Sequence, residues 1–149
     1  MAKDATKVLN ELIETSKDGE KGFARAAEEA TDPQLKAVLR EGAARCRTGA
    51  QELEAQVRTL GGKPETGGSA MGAVHRGWLD AKSAVTGRDA KAILVECERG
   101  EDYAKARYEE ALEAELPESV RSLVERQYEG VLQNHDRVKA LRDRYAGIS

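Results

Sequence analysis

Aromatic residues are scarce in this chain, with one Trp, one Phe and four Tyr in 149 residues. So few rings offer little to stack on bases, and 24 Lys and Arg against 27 Asp and Glu leave no basic excess, so no nucleic-acid partner is expected. No apolar run approaches the roughly 18 residues of a membrane span. Met1-Ala2-Lys3-Asp4 leads into a charged helix rather than a signal-peptide core, so no membrane partner is expected and a cytoplasmic location is. The two cysteines, Cys46 and Cys97, sit in helical patterns without CxxC spacing, which predicts reduced thiols rather than a disulfide framework. A nucleophile elbow and a phosphate loop are both missing, and His75 and His135 are the only histidines, so hydrolase and transferase readings find no support.

What the chain has is helix-forming residues: 23 Ala and 19 Glu. Apolar residues make up 40% and recur at regular spacing, enough for one core in a single domain spanning 1–149 and inconsistent with disorder. An all-α fold is predicted. The first helix starts near Asp4 or Thr6 and runs to about Ala30, with Val8, Leu9, Leu12, Ile13, Ser16, Glu20, Phe23 and Ala27 on one stripe. Thr31-Asp32-Pro33 stops it: Asp32 can cap the next helix and Pro33 can occupy its first turn. The second helix, to Leu60, turns Leu35, Leu39, Gly42, Cys46, Gly49, Leu53 and Val57 inward before Gly61-Gly62 ends it.

Residues 61–88 form a connection, a Gly-rich loop followed by a shorter helix capped by Ser69 and ending at Thr86-Gly87, with Val74, Trp78, Ala81 and Val85 on its stripe. His75 and Trp78 share one face there and are expected to dock it. The third long helix, capped by Asp89, carries Ile93, Leu94, Cys97, Glu101, Ala104, Tyr108 and Leu112 inward. After Leu116-Pro117 the fourth runs to about Tyr145 through Val120, Val124, Tyr128, Val131, His135, Val138 and Leu141. Tyr128 is expected to be a core aromatic with its hydroxyl bonded.

The two hairpins, about 5–60 and 89–145, resemble each other. A shift of 81 places Leu12-Ile13 on Ile93-Leu94, Gly19-Glu20 on Gly100-Glu101 and Glu28-Glu29-Ala30 on Glu109-Glu110-Ala111. One helix-turn-helix unit used twice makes a four-helix bundle with approximate twofold symmetry. A connection of 28 residues, partly helical, is long enough to travel back along such a bundle, which matches a ferritin-like crossover.

Glu20 and Glu101 interrupt apolar stripes at equivalent repeat positions, and His135 falls where an apolar residue is expected on the fourth helix. A carboxylate taken inside must be paired, bonded, protonated or bound to metal. Folding each hairpin about its turn puts His135 level with Glu98, about one helical turn from the Glu101 layer. Ferritin-like di-iron sites take a Glu from each of two helices and a Glu-x-x-His pair from each of the other two. Glu20 and Glu101 fill the single-Glu slots and His135 one His slot, but Leu132 replaces its Glu, and the second helix has no such pair. Three of six ligands remain. Ordinary alternatives are Lys or Arg partners for the glutamates, a satisfied core histidine, and cysteines acting as small buried hydrophobes.

Several blocks also carry a family resemblance: Leu12-Ile13-Glu14 with Lys17-Asp18-Gly19-Glu20-Lys21-Gly22-Phe23, His75-Arg76-Gly77-Trp78, Glu96-Cys97-Glu98-Arg99-Gly100-Glu101-Asp102, and His135-Asp136-Arg137-Val138. From about Leu9 to Arg142 the chain resembles the bacterial ferritin-like four-helix-bundle family whose domain is classed as of unknown function. The resemblance implies a bacterial cytoplasmic setting and a link to stress, and brings no catalytic residue set. The expectation is a non-enzymatic ferritin-like bundle with an incomplete di-iron-type site. The alternative is a metal-binding protein or oxidase in which Glu20, Glu101 and His135, helped by Asp102, Glu98, Glu52 or a cysteine, hold iron, manganese or zinc. A third reading is an interaction module, as a homodimer.

Overall fold

Turn chemistry sets the frame. In the structure of the protein, a computed structural model that describes residues 2–64 and 90–148, four helices are present: α1 (Ala2–Glu29), α2 (Pro33–Thr59), α3 (Ala90–Glu113) and α4 (Glu118–Ile148). The Asp32 carboxylate accepts from the Gln34 backbone N–H at 3.1 Å and Pro33 takes the first turn of α2, as the sequence predicts. At the other end of α2, Gly61 adopts φ +82° and its N–H donates to the Arg58 carbonyl, while that of Gly62 donates to Val57. That 5→2 and 6→1 pair is a Schellman motif, which needs a residue free of Cβ strain at the left-handed position. The last carbonyls of α3 are met by a side chain instead: Arg121 donates to Leu112 O at 3.0 Å and to Ala114 O at 2.8 Å. The expected short helix between Ser69 and Gly87, with its His75 and Trp78, lies outside the described residues, as does Asp89.

Two apolar clusters occupy opposite ends of the bundle. One joins Phe23, Ala27, Leu35, Leu39, Ile93, Leu94, Cys97, Val138 and Leu141; the other joins Leu9, Leu12, Ile13, Leu53, Val57, Tyr108, Val120 and Val124. Followed through these clusters, α1 and α4 run one way and α2 and α3 the other. α1 packs closely along α2 and α3, and α4 along α3, whereas α2 and α4 approach each other at few places. Gly42 explains how tightly α1 and α2 meet, since a Cβ there would lie 3.2 Å from the Phe23 ring. No helix among the described residues is long and apolar enough to cross a membrane.

The boundaries fall within a few residues of the expected ones. Tyr128 is half-buried rather than a core residue, lying at the edge of the second cluster with its hydroxyl donating to Glu109 at 2.7 Å.

Candidate functional site

Between the two apolar clusters the bundle has a polar midplane. Glu101 on α3 is 4% exposed, and its Oε2 accepts from the Asn134 side-chain amide of α4. Its Oε1 and the Asn134 Oδ1 are buried without partners. Burial raises the Glu101 carboxyl from 4.5 to about 8 against the lowering effect of the Asn134 bond, with Asp102 and Glu98 adding to the rise. At neutral pH Glu101 is therefore mostly a neutral acid. Burial likewise pushes the Cys46 thiol up to about 12 and the Cys97 thiol higher, with Glu101 adding to both, so neither is a ready thiolate; both cysteines are free.

Around this acid lies a cavity of about 660 Å³ with lining from all four helices. α1 and α3 supply mostly buried walls, such as Ser16, Phe23 and Tyr108, while α2 and α4 supply exposed residues such as Thr48 and Gln133, so the cavity opens between α2 and α4. A chain of polar contacts spans the bundle beside it. The Tyr108 hydroxyl donates to Gln127 Oε1 at 2.7 Å. The Gln127 amide donates to Gly49 O at 3.1 Å and to Glu52 Oε1 at 3.0 Å, and Arg126 reaches the other Glu52 oxygen at 3.3 Å. Arg45 of α2 crosses to α4, donating to Gly130 O at 2.6 Å, and Arg137 pairs with Glu41 at 3.0 Å. Side chains rather than helix contact thus hold α2 against α4 here.

The three candidate ligands read from the sequence stand in separate partnerships. Glu20 is at the edge of the α1–α2 interface, its side chain 33% exposed and 3.4 Å from Arg47. His135 is half-buried at the α3–α4 edge, its Nε2 2.8 Å from Asp102 Oδ1. Of the suggested helpers, Glu98 pairs with Arg142 and Glu52 is engaged as above. Among the described residues no three His, Cys, Asp or Glu side chains gather as a metal-holding group. The donors among the described residues do not come together as a two-metal centre.

The reason is one of periodicity. Inward positions on α4 alternate by four and three: Val120, Val124, Gln127, Val131, Asn134, Val138, Leu141. The same alternation on α1 gives Leu9, Leu12, Ser16, Gly19, Phe23, Ala26 and Ala30. His135 and Glu20 are each one residue off these seams, while Glu101 is on its own, between Cys97 and Ala104. Gly19 is inward instead of Glu20, and a Cβ there would lie 2.9 Å from the Cys46 sulfur. Strict four-three counting would have found Gln127 and Asn134; looser 3.6-residue stripes pass between 134 and 135.

Sequence reasoning also passed over Asp18, which is 1% exposed on α1 with both carboxyl oxygens unbonded. Burial raises it to about 7, with Lys21 opposing and Glu14 adding. Arg45 was missed because a single Arg on a charged helix looks like solvated surface.

Comparison with known proteins gives one family. The profile described as "Domain of unknown function (DUF2383)" matches residues 4–114. No curated protein matches the chain. Among solved structures, a point mutant of Mycobacterium smegmatis Dps1 is similar in fold at TM-score 0.80 and 17% identity, covering 95% of this chain and 96% of that one. The all-α ferritin-like four-helix bundle expected from the sequence is the fold of this chain.

Proposed function

The chain belongs to the DUF2383 family, and from that premise we propose that it is a non-enzymatic ferritin-like bundle with a stress-related role, whose midplane is a binding cavity rather than a complete two-metal centre. One observation carries the proposal: Glu101, the candidate ligand most deeply buried, is a neutral acid bonded to Asn134, with a cavity of about 660 Å³ beside it. An ionised ligand pair would need carboxylates facing one another across the midplane. At this level α1 presents Gly19 and α2 presents Cys46 and Gly49.

Aerobic loading with excess ferrous iron, followed by desalting and metal analysis, tests the proposal. Less than about 0.1 equivalent of bound iron, manganese or zinc is expected. The alternative is a metal-binding protein or oxidase using Glu20, Glu101 and His135, and one specific feature favours it: the unpartnered Oε1 of a buried carboxyl group. It requires Arg47, Asn134 and Asp102 to release their partners. One equivalent or more of metal, lost in both Glu101→Gln and His135→Ala, would establish that alternative and overturn the proposal.

A further inference from the structure

Among the described residues that line the midplane cavity, one cation has no ion-pair partner. Two arginines line it, Arg45 and Arg126. Arg126 is paired with Glu52 at 3.3 Å. Arg45 is half-buried and spends one N–H on the Gly130 carbonyl at 2.6 Å; no carboxylate of a described residue lies within ion-pair distance of its guanidinium. A guanidinium has five N–H donors in a fork that matches a carboxylate, so several remain for a ligand. The acidic residues at the mouth have nearer partners: Glu41, on which Arg45 also acts electrostatically, is paired with Arg137, Glu52 with Arg126 and Gln127, and Glu129 is exposed on the rim.

The rest of the lining sets the shape of what could enter. Phe23, Ala44, Ala104 and Val131 give apolar walls. Gly19, Gly42, Gly49, Gly100 and Gly130 add backbone but no side chain to the lining of the cavity of about 660 Å³. The floor is uncharged near neutral pH, since Glu101 holds its proton and Asn134 is an amide. A second cation, which a phosphate would call for, is absent from the described lining in unpaired form. A cavity of this size with apolar walls and one convergent charge suits a small organic ligand.

We propose that this cavity binds a small monocarboxylate with an apolar body, admitted between α2 and α4, with the carboxylate on Arg45 and the body against Phe23, Ala104 and Val131. The proposal rests on the binding-cavity reading above and adds the ligand class to it. The carboxylate takes a charge-assisted fork from N–H donors that the Arg45–Gly130 bond leaves spare.

The test is calorimetric titration of the full chain at pH 7 with octanoate and, in parallel, with octan-1-ol, which has the same body and no charge. Saturable 1:1 binding of octanoate, at least tenfold tighter than octan-1-ol, is expected. Arg45→Gln should weaken octanoate tenfold or more and octan-1-ol less than threefold; Arg45→Lys, which keeps the charge but not the fork, should fall between. Ala104→Leu, which adds bulk to the cavity from α3 while Arg45 enters it from α2, should weaken both ligands, with helicity and melting checked by circular dichroism. No saturable octanoate binding up to 1 mM, or equal loss of both ligands in Arg45→Gln, overturns the assignment. Failure of the ligand class leaves the iron-loading result and the Glu101 proton untouched, so the two proposals fail separately.

Discussion

Glu101 and Asp18 are acids that folding buries with at most one hydrogen bond, and their carboxyl groups rise to about 8 and about 7. The folded state then binds more protons than the unfolded chain between the ordinary carboxylate range and those values. Their contribution to stability is fully present at acid pH below the unfolded values and is lost as pH rises through 7 and 8. For Glu101 alone that loss is on the order of 3 kcal/mol between pH 4.5 and pH 8. Urea unfolding of Glu101→Gln should show a flatter stability–pH profile than the wild type and a gain in stability at pH 8, because Gln can still accept from Asn134 while carrying no charge to bury. A steeper profile, or a loss of stability at pH 8, would mean that the carboxylate is ionised and paired. Glu20→Gln is expected to change stability by less than about 0.5 kcal/mol, since the Arg47 pair is largely solvated.

Helix spacing is where sequence and structure diverge most usefully. The Asp32 cap, the Pro33 start and the Gly61-Gly62 stop were legible because each is a local backbone requirement tied to residue type. The four long helices were legible because long apolar stripes mark them. Which of two adjacent polar residues turns inward was not, because a 3.6-residue stripe drifts by up to a residue over several turns, and packing against partner helices settles the matter. Thus His135 yielded its inward place to Asn134, and Glu20 to Gly19. The close approach of α1 and α2 at Gly19 has a measurable consequence. Gly19→Ala should cost about 1–2 kcal/mol despite alanine's better helix propensity, because the new Cβ would meet the Cys46 sulfur at 2.9 Å. In a Cys46→Ala background the same change should be neutral or stabilising by up to about 1 kcal/mol, and thermal melts of the four proteins in the cycle measure that coupling.

On the scale of the whole molecule, apolar cores at both ends carry the packing, and the midplane between them gives up packing for polar contacts and space. The Tyr108–Gln127–Glu52–Arg126 chain and the Arg45 crossing hold α2 and α4 together where helix-to-helix contact is sparse. Gln127→Leu, which cuts the chain at its centre and strands the Tyr108 hydroxyl, should cost about 1–3 kcal/mol in urea unfolding. It should also raise amide exchange of midplane residues on α2 and α4 more than on α1 and α3. The state of Glu101 tests most directly whether this midplane is a binding cavity with a neutral acid or a metal centre. The measurement is an NMR titration of its side-chain carboxyl carbon, with and without one equivalent of Zn²⁺. A midpoint near 8 that zinc does not move is expected. A midpoint at or below the ordinary glutamate value, or one that zinc drives downward, would contradict it.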